Sequence, residues 1–450
     1  MILKDINSIY FIGVGGIGMS AIARYFKALG KEVSGYDRTE TKLTIDLMKE
    51  GIDIHYEDDV NQIPKDIDLV VYTPAIPVDH KELQFFKTNN YTLMKRSEVL
   101  GLITKDSFTV AVAGTHGKTT TSSIVAHLLK SSSVNCNAFL GGITKNYNSN
   151  LILTEGSNNV VVEADEYDRS FLTLFPNISI ITSVDPDHLD IYGNSEAMLE
   201  SYQLFADQLD DDGVLILNSR INDLILTKGK VITYGIDCNA DYVASGVRVE
   251  NGNFLFDIIL PTGSIKNVKF GVPGRHNIEN ALAAVVVADC MGASLVEIKS
   301  ALESFQGIKR RFEYILKNEE VVYIDDYAHH PEELKATISS VKELYPNKKI
   351  TGVFQPHLYS RTRDFADDFA KSLELLNEVI VLDIYPAREE PIEGVNSEML
   401  LKKINIKNKK NCNKQNLVAE LSERRLEVLL TMGAGDIDKL IDPIKKQLLN

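Results

Sequence analysis

The order of apolar and polar residues along the chain predicts alternating strands and helices. Short runs rich in valine and isoleucine recur, and each is followed by a stretch with apolar residues at every third or fourth position. The clearest pair is a strand at 108–112 and a helix that begins near 118 and carries Ile124, Val125 and Leu128 on one face. Strands that alternate with helices are typical of parallel sheets, so the pattern predicts an α/β fold.

The turn between this strand and helix has the residues of a phosphate-binding loop. It reads Gly-Thr-His-Gly-Lys-Thr-Thr over 114–120. Backbone N–H groups at a helix N-terminus attract phosphate, Lys118 can reach the terminal phosphates, and Thr119 is placed to hold a magnesium ion. The spacing is shorter than in the usual P-loop, because Val112 stands where the first glycine is expected. The alternative is a glycine turn before an exposed lysine, but the flanking strand and helix favour phosphate binding.

A second glycine-rich turn follows the first strand of the chain. Gly-Val-Gly-Gly-Ile-Gly over 13–18 leads from a strand at 9–12 into a helix, and the next strand, Glu32–Tyr36, ends before Asp37. Taken alone, this is the fingerprint of a nicotinamide dinucleotide site. The glycines require only that a diphosphate approach a helix N-terminus, and a UDP-sugar also carries a diphosphate. These residues therefore leave NAD and a UDP-sugar open.

Acidic side chains follow the two strands that come after the phosphate loop. The strand at 159–162 ends before Glu163, and the strand at 178–182 leads to Asp185 and His188. The carboxyl ends of parallel strands line one crevice, and hard cations prefer oxygen ligands. The pattern predicts a magnesium site beside the phosphate loop. A solvated acidic loop is the alternative for each segment taken singly.

The last third of the chain predicts a further doubly wound sheet. Its strands, at 321–324, 350–354, 379–382 and 428–431, end in polar or glycine-rich residues. The segment 402–416, rich in lysine and asparagine, is predicted to be a solvated loop. The adjacent His329 and His330 do not make a metal site without further ligands.

Composition limits the possible partners and location. A chain of 450 residues favours two to four domains, and a net charge of −15 disfavours nucleic acid as a partner. The apolar runs are too short to span a bilayer and the start lacks a signal-peptide core, so no membrane insertion is expected. The four cysteines are scattered without a CxxC pair, which is typical of a reduced, cytoplasmic protein.

Together, these motifs resemble those of the Mur ligases, which add amino acids to the UDP-muramyl precursor of bacterial peptidoglycan. Gly-Thr-His-Gly-Lys-Thr-Thr is similar to their ATP site, and Gly-Val-Gly-Gly-Ile-Gly-Met-Ser resembles the UDP-binding turn of the alanine-adding branch. The resemblance covers nearly the whole chain in order and implies three α/β domains. These are a Rossmann-like UDP-sugar-binding domain at 1–104, a P-loop ATPase-like central domain with mixed β hairpins at 105–307, and a Rossmann-like domain at 308–450 that binds the amino acid and closes on ATP.

The resemblance also implies roles for individual residues. The expected catalytic residues are Lys118, His188 and Arg311, and the expected Mg²⁺ ligands are Thr119, Glu163 and His188. ATP is expected to contact Gly114, Thr115, His116, Gly117, Lys118, Thr119, Thr120, His276, Asn280, Arg311 and Asp326. The UDP-sugar is expected to contact Gly13, Gly15, Gly16, Gly18, Asp37, Thr73 and Ala75. The amino acid is expected to contact His357, Arg361 and Arg363, although the family often has an arginine where this chain has Leu358.

The reaction implied by the resemblance is the ATP-dependent joining of L-alanine to the carboxylate of UDP-N-acetylmuramate through an acyl phosphate. Members that add later residues carry a carbamylated lysine in the central domain, and this chain has no lysine between Lys145 and Lys228. The gap favours the alanine-adding branch or its close relatives. A monomer or weak homodimer is expected. Three alternatives remain: a recycling ligase that attaches a tripeptide to the same sugar, a nicotinamide-dependent oxidoreductase, and a non-catalytic nucleotide switch.

Overall fold

The computed structural model describes residues 6–186, 189–250, 252–387 and 389–449. Its strands form three sheets, of five, ten and six strands. The chain divides into two compact units. The first comprises Met1–Ser245, Asp257–Lys266 and Glu279–Ser304, and the second comprises Gly246–Phe256, Asn267–Ile278 and Phe305–Asn450. The predicted α/β class is confirmed.

The five-stranded sheet is parallel throughout and has the strand order β3-β2-β1-β4-β5. Its elements are β1 Ser8–Ile12, α1 Ile17–Ala28, β2 Glu32–Tyr36, α2 Lys42–Lys49, β3 Asp53–His55, β4 Leu69–Tyr72, α3 Lys81–Thr88, β5 Leu93–Lys95 and α4 Arg96–Lys105. The apolar residues of β1 lie on both faces and are fully buried, as expected for a parallel strand covered by helices.

The ten-stranded sheet contains the phosphate loop. Its elements are β6 Phe108–Ala113, α5 Lys118–Lys130, β7 Asn137–Thr144, β8 Ser149–Ile152, β9 Asn159–Glu163, β10 Ile178–Ile181, α6 Leu189–Tyr192, α7 Ser195–Ala206, β11 Val214–Asn218, β12 Lys230–Ile236, β13 Tyr242–Glu250, β14 Asn253–Leu260, β15 Gly263–Phe270, α8 Arg275–Cys290 and α9 Leu295–Ser304. The strand order is β15-β14-β13-β12-β11-β10-β6-β9-β7-β8. Strands β10, β6 and β9 are parallel neighbours, so the three loops that carry the predicted chemistry leave one edge of the sheet.

The six-stranded sheet has the order β16-β17-β21-β18-β19-β20, and only β16 runs antiparallel to its neighbour. Its elements are β16 Glu313–Lys317, β17 Val322–Asp326, α10 Pro331–Leu344, β18 Ile350–Phe354, α11 Tyr359–Asp364, α12 Ala366–Leu373, β19 Glu378–Leu382, α13 Ser397–Lys403, β20 Lys409–Cys412, α14 Lys414–Ser422, β21 Val428–Met432 and α15 Ile441–Leu448. The predicted doubly wound arrangement of this region is confirmed.

The loop predicted for 402–416 is wrong. This segment contains the end of α13, all of β20 and the start of α14. Strand β20 lies at the edge of the sheet and carries Lys409 and Lys410, whose side chains reach backbone carbonyls and Glu420. Lysine is common on edge strands because it discourages pairing with other chains, so a polar sequence here is compatible with a strand.

Helix α5 is buried on nearly all sides. Every residue from Thr119 to Leu129 is buried, including five hydroxyl side chains and His127. The His127 ring contacts Tyr147 at 2.9 Å and Ser304 at 3.0 Å. Helix α5 is therefore a rigid support for the loop at its N-terminus.

Candidate functional site

The phosphate loop joins β6 to α5 through residues 114–117. Gly114 and Gly117 have left-handed φ angles of 127° and 85°. A Cβ atom at Gly114 would lie 2.1 Å from Thr182 Oγ1, so the turn requires glycine for both conformation and space. Gly117 caps α5, and Thr119 and Thr120 follow in its first, buried turn. The first N–H groups of an α-helix have no partner within the helix, which is the arrangement that favours anions, and here they lie in the strand–turn–helix setting predicted from the sequence.

The segment after β10 holds the phosphate loop from outside. The Thr182 hydroxyl donates to the His116 carbonyl at 2.5 Å, and the Thr115 hydroxyl donates to the Asp185 carbonyl at 2.7 Å. The His116 N–H donates to Ser183 Oγ at 3.0 Å. Because these contacts come from a neighbouring strand end, they hold the loop in a defined shape.

Lys118 points back over the phosphate loop. Its Nζ donates to Glu166 Oε1 at 2.7 Å, to the Gly114 carbonyl at 2.8 Å and to the Thr115 carbonyl at 3.3 Å. Burial lowers the pKa of Lys118, but the charges of Glu166 and Asp165 outweigh this, so the pKa lies above its ordinary value. The side chain is therefore a fixed positive charge at the loop.

Glu163, the last residue of β9, presents an open carboxylate oxygen. A Cβ atom at Gly141 of β7 would lie 2.3 Å from Glu163 Oε2 and 2.5 Å from Oε1, so the carboxylate occupies the space that glycine leaves. Oε2 is buried and has no hydrogen-bond partner in the described part of the chain. A buried oxygen without a donor is an exception that calls for a missing partner, and a hard cation would supply one.

The structure describes only part of the predicted metal site. His188 lies outside the described residues. Within 6–186, 189–250, 252–387 and 389–449, no group of three or more histidine, cysteine, aspartate or glutamate side chains is arranged to hold a metal ion. Of the three predicted metal ligands, Glu163 and Thr119 lie within the described residues, at the end of β9 and in the first turn of α5.

Glu166 belongs to the site, although the sequence analysis did not single it out. Its side chain is buried against Lys118, and its carbonyl accepts a hydrogen bond from the Tyr192 hydroxyl at 2.5 Å. Burial raises the pKa of Glu166 to about 7, against the lowering effect of Lys118. The loop continues through Asp168 and Arg169, whose φ angles of 48° and 60° are strained for residues other than glycine. In the sequence, nothing distinguished Glu166 from its acidic neighbours.

The first glycine turn is closed by Asp37. The Gly15 N–H donates to Asp37 Oδ2 at 2.8 Å, and the Gly13 N–H donates to the Tyr36 carbonyl at 2.8 Å. Gly13 has a φ of 87°, and Gly16 caps α1. The end of β4 borders the turn: Thr73 would be 3.5 Å from a Cβ atom at Gly13, and Ala75 is exposed two residues later.

Arg96, at the start of α4, lies between the first glycine turn and the acidic strand end. A Cβ atom at Gly18 would lie 2.9 Å from Arg96 Nη1, and Arg96 Nη2 donates to Asp165 Oδ2 at 3.3 Å. Arg96 also lines a cavity together with Glu163 and Ser170. Arg96 therefore links the first glycine turn, through Gly18, to the acidic segment after β9.

Two of the residues expected to contact ATP, His276 and Asn280, fall in different units. Asn280 belongs to the first unit, where its Oδ1 accepts the Thr121 hydroxyl at 3.1 Å and lies 2.6 Å from the position of a Cβ atom at Gly117. His276 belongs to the second unit and packs against Gly274. Helix α8 begins before Asn277, whose side chain donates to the Pro273 carbonyl.

Asp326 and Arg311 lie together in the second unit. Asp326 ends β17 and is buried, and its carboxylate accepts the N–H groups of Phe312 at 2.9 Å and Ala328 at 2.8 Å. Burial raises the pKa of Asp326 to about 6, against the lowering effect of Arg311. The Arg311 guanidinium lies 5.1 Å from the centroid of the Tyr327 ring, and it forms no ion pair among the described residues, although its charge acts on nearby Asp326. It is therefore available to an anion.

Neighbouring Arg310 has a structural role instead. Its Nη2 donates to the Gly433 carbonyl at 2.7 Å, and its Nε donates to Asp325 Oδ2 at 3.2 Å. These contacts fix the loop after β21 to the end of β17. Of the two adjacent arginines, only Arg311 is placed to meet a ligand.

The residues expected to contact the amino acid are carried by one loop and the short helix α11. The His357 ring stacks on Tyr385 with centroids 5.8 Å apart. Leu358 has a left-handed φ of 69°, which is strained for a leucine. Arg361 and Arg363 follow in α11, where Arg363 is paired with exposed Asp364.

Three family models match the chain. Residues 8–108 match the Mur ligase family catalytic domain, residues 112–288 the Mur ligase middle domain, and residues 310–437 the Mur ligase glutamate ligase domain. Because these matches cover most of the chain in order, the protein belongs to the Mur ligase family.

Individual proteins of known name are similar to the chain in sequence or in structure. The chain is 53% identical to the UDP-N-acetylmuramate–L-alanine ligase of Flavobacterium psychrophilum, over 100% of this chain and 99% of the relative. It is 52% identical to the enzyme of the same name from Parabacteroides distasonis, over 100% and 98%. The crystal structure of the UDP-N-acetylmuramate–alanine ligase of Thermotoga maritima is similar with a TM-score of 0.81 and 30% identity, over 98% and 99% of the two chains. A murein peptide ligase from Psychrobacter arcticus, at 20% identity and a TM-score of 0.73, shares the fold.

Across the described ranges, every helix is too short or too polar to cross a membrane.

Proposed function

We propose that the protein is an ATP-dependent ligase that joins L-alanine to the carboxylate of UDP-N-acetylmuramate in peptidoglycan precursor synthesis. The observation that carries the proposal is the combination of the phosphate loop, with Lys118 held over it, and the buried carboxylate oxygen of Glu163 at the end of the neighbouring strand β9. The relatives named for this reaction match the whole chain at about half identity, which supports the same assignment.

The chemistry proceeds in two steps. An oxygen of the muramyl carboxylate attacks the γ-phosphorus of ATP, and ADP leaves, so that an acyl phosphate forms. The amine of L-alanine then attacks the acyl carbon, and phosphate leaves as the amide bond forms and the amine loses a proton. Since the carboxylate and the triphosphate are both negative, their approach requires fixed positive charge.

Two cations of the chain are proposed to supply that charge. Lys118 is charged at the phosphate loop, and Arg311 carries a guanidinium that forms no ion pair among the described residues. Backbone N–H groups at the start of α5 add oriented dipoles. We assign both side chains to charge neutralisation at the transferred phosphate. His188 is proposed as the third catalytic residue.

Mg²⁺ is the proposed cofactor. Glu163, with its buried open oxygen, and Thr119, in the first turn of α5, fit the oxygen donors that this ion prefers, and His188 is proposed to complete the set. When bound, the ion would offset phosphate charge during transfer. Gly141 contributes by leaving room for the Glu163 carboxylate.

The substrate contacts remain the sets predicted from the sequence. We propose that the UDP-sugar diphosphate meets the glycine turn at 13–18, with Asp37, Thr73 and Ala75 around it, and that the amino acid meets His357, Arg361 and Arg363. The residues proposed for ATP are those of the phosphate loop with His276, Asn280, Arg311 and Asp326. The domain boundaries at 104 and 307, a cytoplasmic location, and a monomer or weak homodimer also stay predictions.

A recycling ligase that attaches a tripeptide to the same sugar is the second candidate, because this chain also shares the fold of the murein peptide ligase from Psychrobacter arcticus. The test is phosphate release from purified protein with ATP, UDP-N-acetylmuramate and either L-alanine or the tripeptide as acceptor. We expect release and amide product with L-alanine. Product with the tripeptide but not with L-alanine would support the recycling reaction. Binding of NADH without binding of ATP would instead support the nicotinamide-dependent oxidoreductase.

A further inference from the structure

Lys118 is proposed to meet the terminal phosphate of ATP, yet its hydrogen bonds are already used within the protein. A lysine ammonium has three N–H donors. Here the acceptors are Glu166 Oε1, the Gly114 carbonyl and the Thr115 carbonyl, at 2.7, 2.8 and 3.3 Å. A phosphate oxygen can therefore be bound only if one of these contacts is given up.

The contact with Glu166 is the one most affected by a nucleotide. The two carbonyls belong to the phosphate loop, which is held by the segment at 182–185 and stays in place. Glu166 is the only charged acceptor of the three, and its carboxylate would repel a phosphate group that approaches Lys118. Exchange of Glu166 for phosphate exchanges one anion for another at the same ammonium.

Glu166 itself is poorly able to follow the lysine. Its side chain is buried, with 1% of its surface exposed, and the Tyr192 hydroxyl donates to its carbonyl at 2.5 Å. The loop after it includes two left-handed residues other than glycine, Asp168 and Arg169. The Lys118 side chain is longer and more flexible, so it is the partner that moves.

We propose that Glu166 is a positioning residue that acts through Lys118: it holds the ammonium over the phosphate loop in the nucleotide-free protein and is displaced by the terminal phosphate of ATP. The inference rests on the proposed function, since it requires ATP at this loop. It adds a competitor for Lys118 that nucleotide must overcome. ADP lacks the terminal phosphate, so its binding should depend less on whether Glu166 holds Lys118.

The test is nucleotide binding to a Glu166→Gln variant. Glutamine keeps the shape and an acceptor oxygen but removes the charge. Dissociation constants for ADP and for a non-hydrolysable β,γ-imido analogue of ATP would be measured by calorimetry on the full chain. We expect the variant to bind the analogue about tenfold more tightly, which is the difference between a charged and a neutral hydrogen bond, and ADP less than about threefold more tightly. The KM for ATP should fall without a rise in kcat.

Control variants separate this role from a structural one. Glu196→Gln, at an exposed position in the first turn of α7, should change neither constant. If Glu166→Gln does not fold, Glu166→Asp keeps the charge but shortens its reach, and it should show the same preference for the analogue to a smaller degree. Unchanged or weaker analogue binding, or an equal gain for ADP, overturns the inference.

The outcome is distinguishable from failure of the proposed function. Wild-type protein that forms the amide product, together with a folded Glu166→Gln variant of unchanged affinities, would refute only the role of Glu166. Wild-type protein that binds neither nucleotide would refute the ligase assignment and, with it, this inference.

Discussion

Gly141→Ala is a direct test of the Glu163 carboxylate. The added Cβ atom would lie 2.3 Å from Glu163 Oε2, whereas ordinary van der Waals contact begins at 3.4 Å. The oxygen must therefore move by about 1.1 Å, the difference between these two distances. The φ angle of Gly141 is not among the positive ones, so alanine meets no backbone strain at this position. The perturbation falls on one flexible carboxylate and leaves the fold intact.

The functional cost of that movement is large compared with its structural cost. Mg²⁺ requires oxygens at about 2.0–2.1 Å, and a misplacement of about 1 Å lowers catalysis by about 100-fold. Loss of stability should stay within about 1 kcal/mol, because replacing glycine also reduces the freedom of the unfolded chain. We therefore expect a near-normal urea midpoint with a strongly reduced kcat/KM at limiting Mg²⁺.

The assay is phosphate release with ATP, UDP-N-acetylmuramate and L-alanine during a titration with Mg²⁺. Glu163→Gln serves as the matched comparison, since it removes the charge without adding a Cβ atom at 141. Both variants should require more Mg²⁺ than the wild type. A folded Gly141→Ala protein with a wild-type Mg²⁺ titration would refute the placement of Glu163 at the metal.

Three further predictions concern the loop, a buried acid and a strand contact. Lys118→Ala should lower ADP formation by at least about 100-fold with an unchanged circular dichroism spectrum, and near-normal turnover would remove the phosphate-loop assignment. Burial raises the pKa of Glu82 to about 7, despite the hydrogen bond from Tyr10 at 2.6 Å. An unfolded glutamate titrates near about 4.3, so the raised pKa stabilises the folded protein fully below that pH, and this contribution of about 1–3 kcal/mol is lost as the pH rises toward about 7. In thermal unfolding, the stability of Glu82→Gln should therefore depend less on pH than that of the wild type. Parallel pH profiles of the two proteins would contradict this. Gly35→Ala places a Cβ atom 2.4 Å from the backbone carbonyl of Phe11 and should lower unfolding stability by about 2–3 kcal/mol, so an unchanged urea midpoint would exclude the clash.

The sequence predicted the strands and turns of the fold well, because the signals are local. The strand and helix around the phosphate loop and the glycine turn before α1 form as expected. The error at 402–416 arose because lysines on the edge strand β20 resemble a loop in a single sequence.

The parts of the site that escaped prediction depend on contacts between distant residues. Gly141 was an unremarked strand glycine until the structure placed it against Glu163. Glu166 and Arg96 have no local pattern, since their roles come from Lys118 and from Gly18 with Asp165. Sequence periodicity reports which face of an element is buried, but not which side chain it meets.

The contacts around the phosphate loop also constrain the order of folding. Thr115 and His116 find their outer partners at Asp185 and Ser183, which lie 70 and 67 residues further along the chain. A growing polypeptide that ends at Glu163 would contain the complete glycine-lysine-threonine motif and still lack the groups that shape it. The loop can thus take its described shape only after synthesis has passed Asp185 and β10 has been added beside β6.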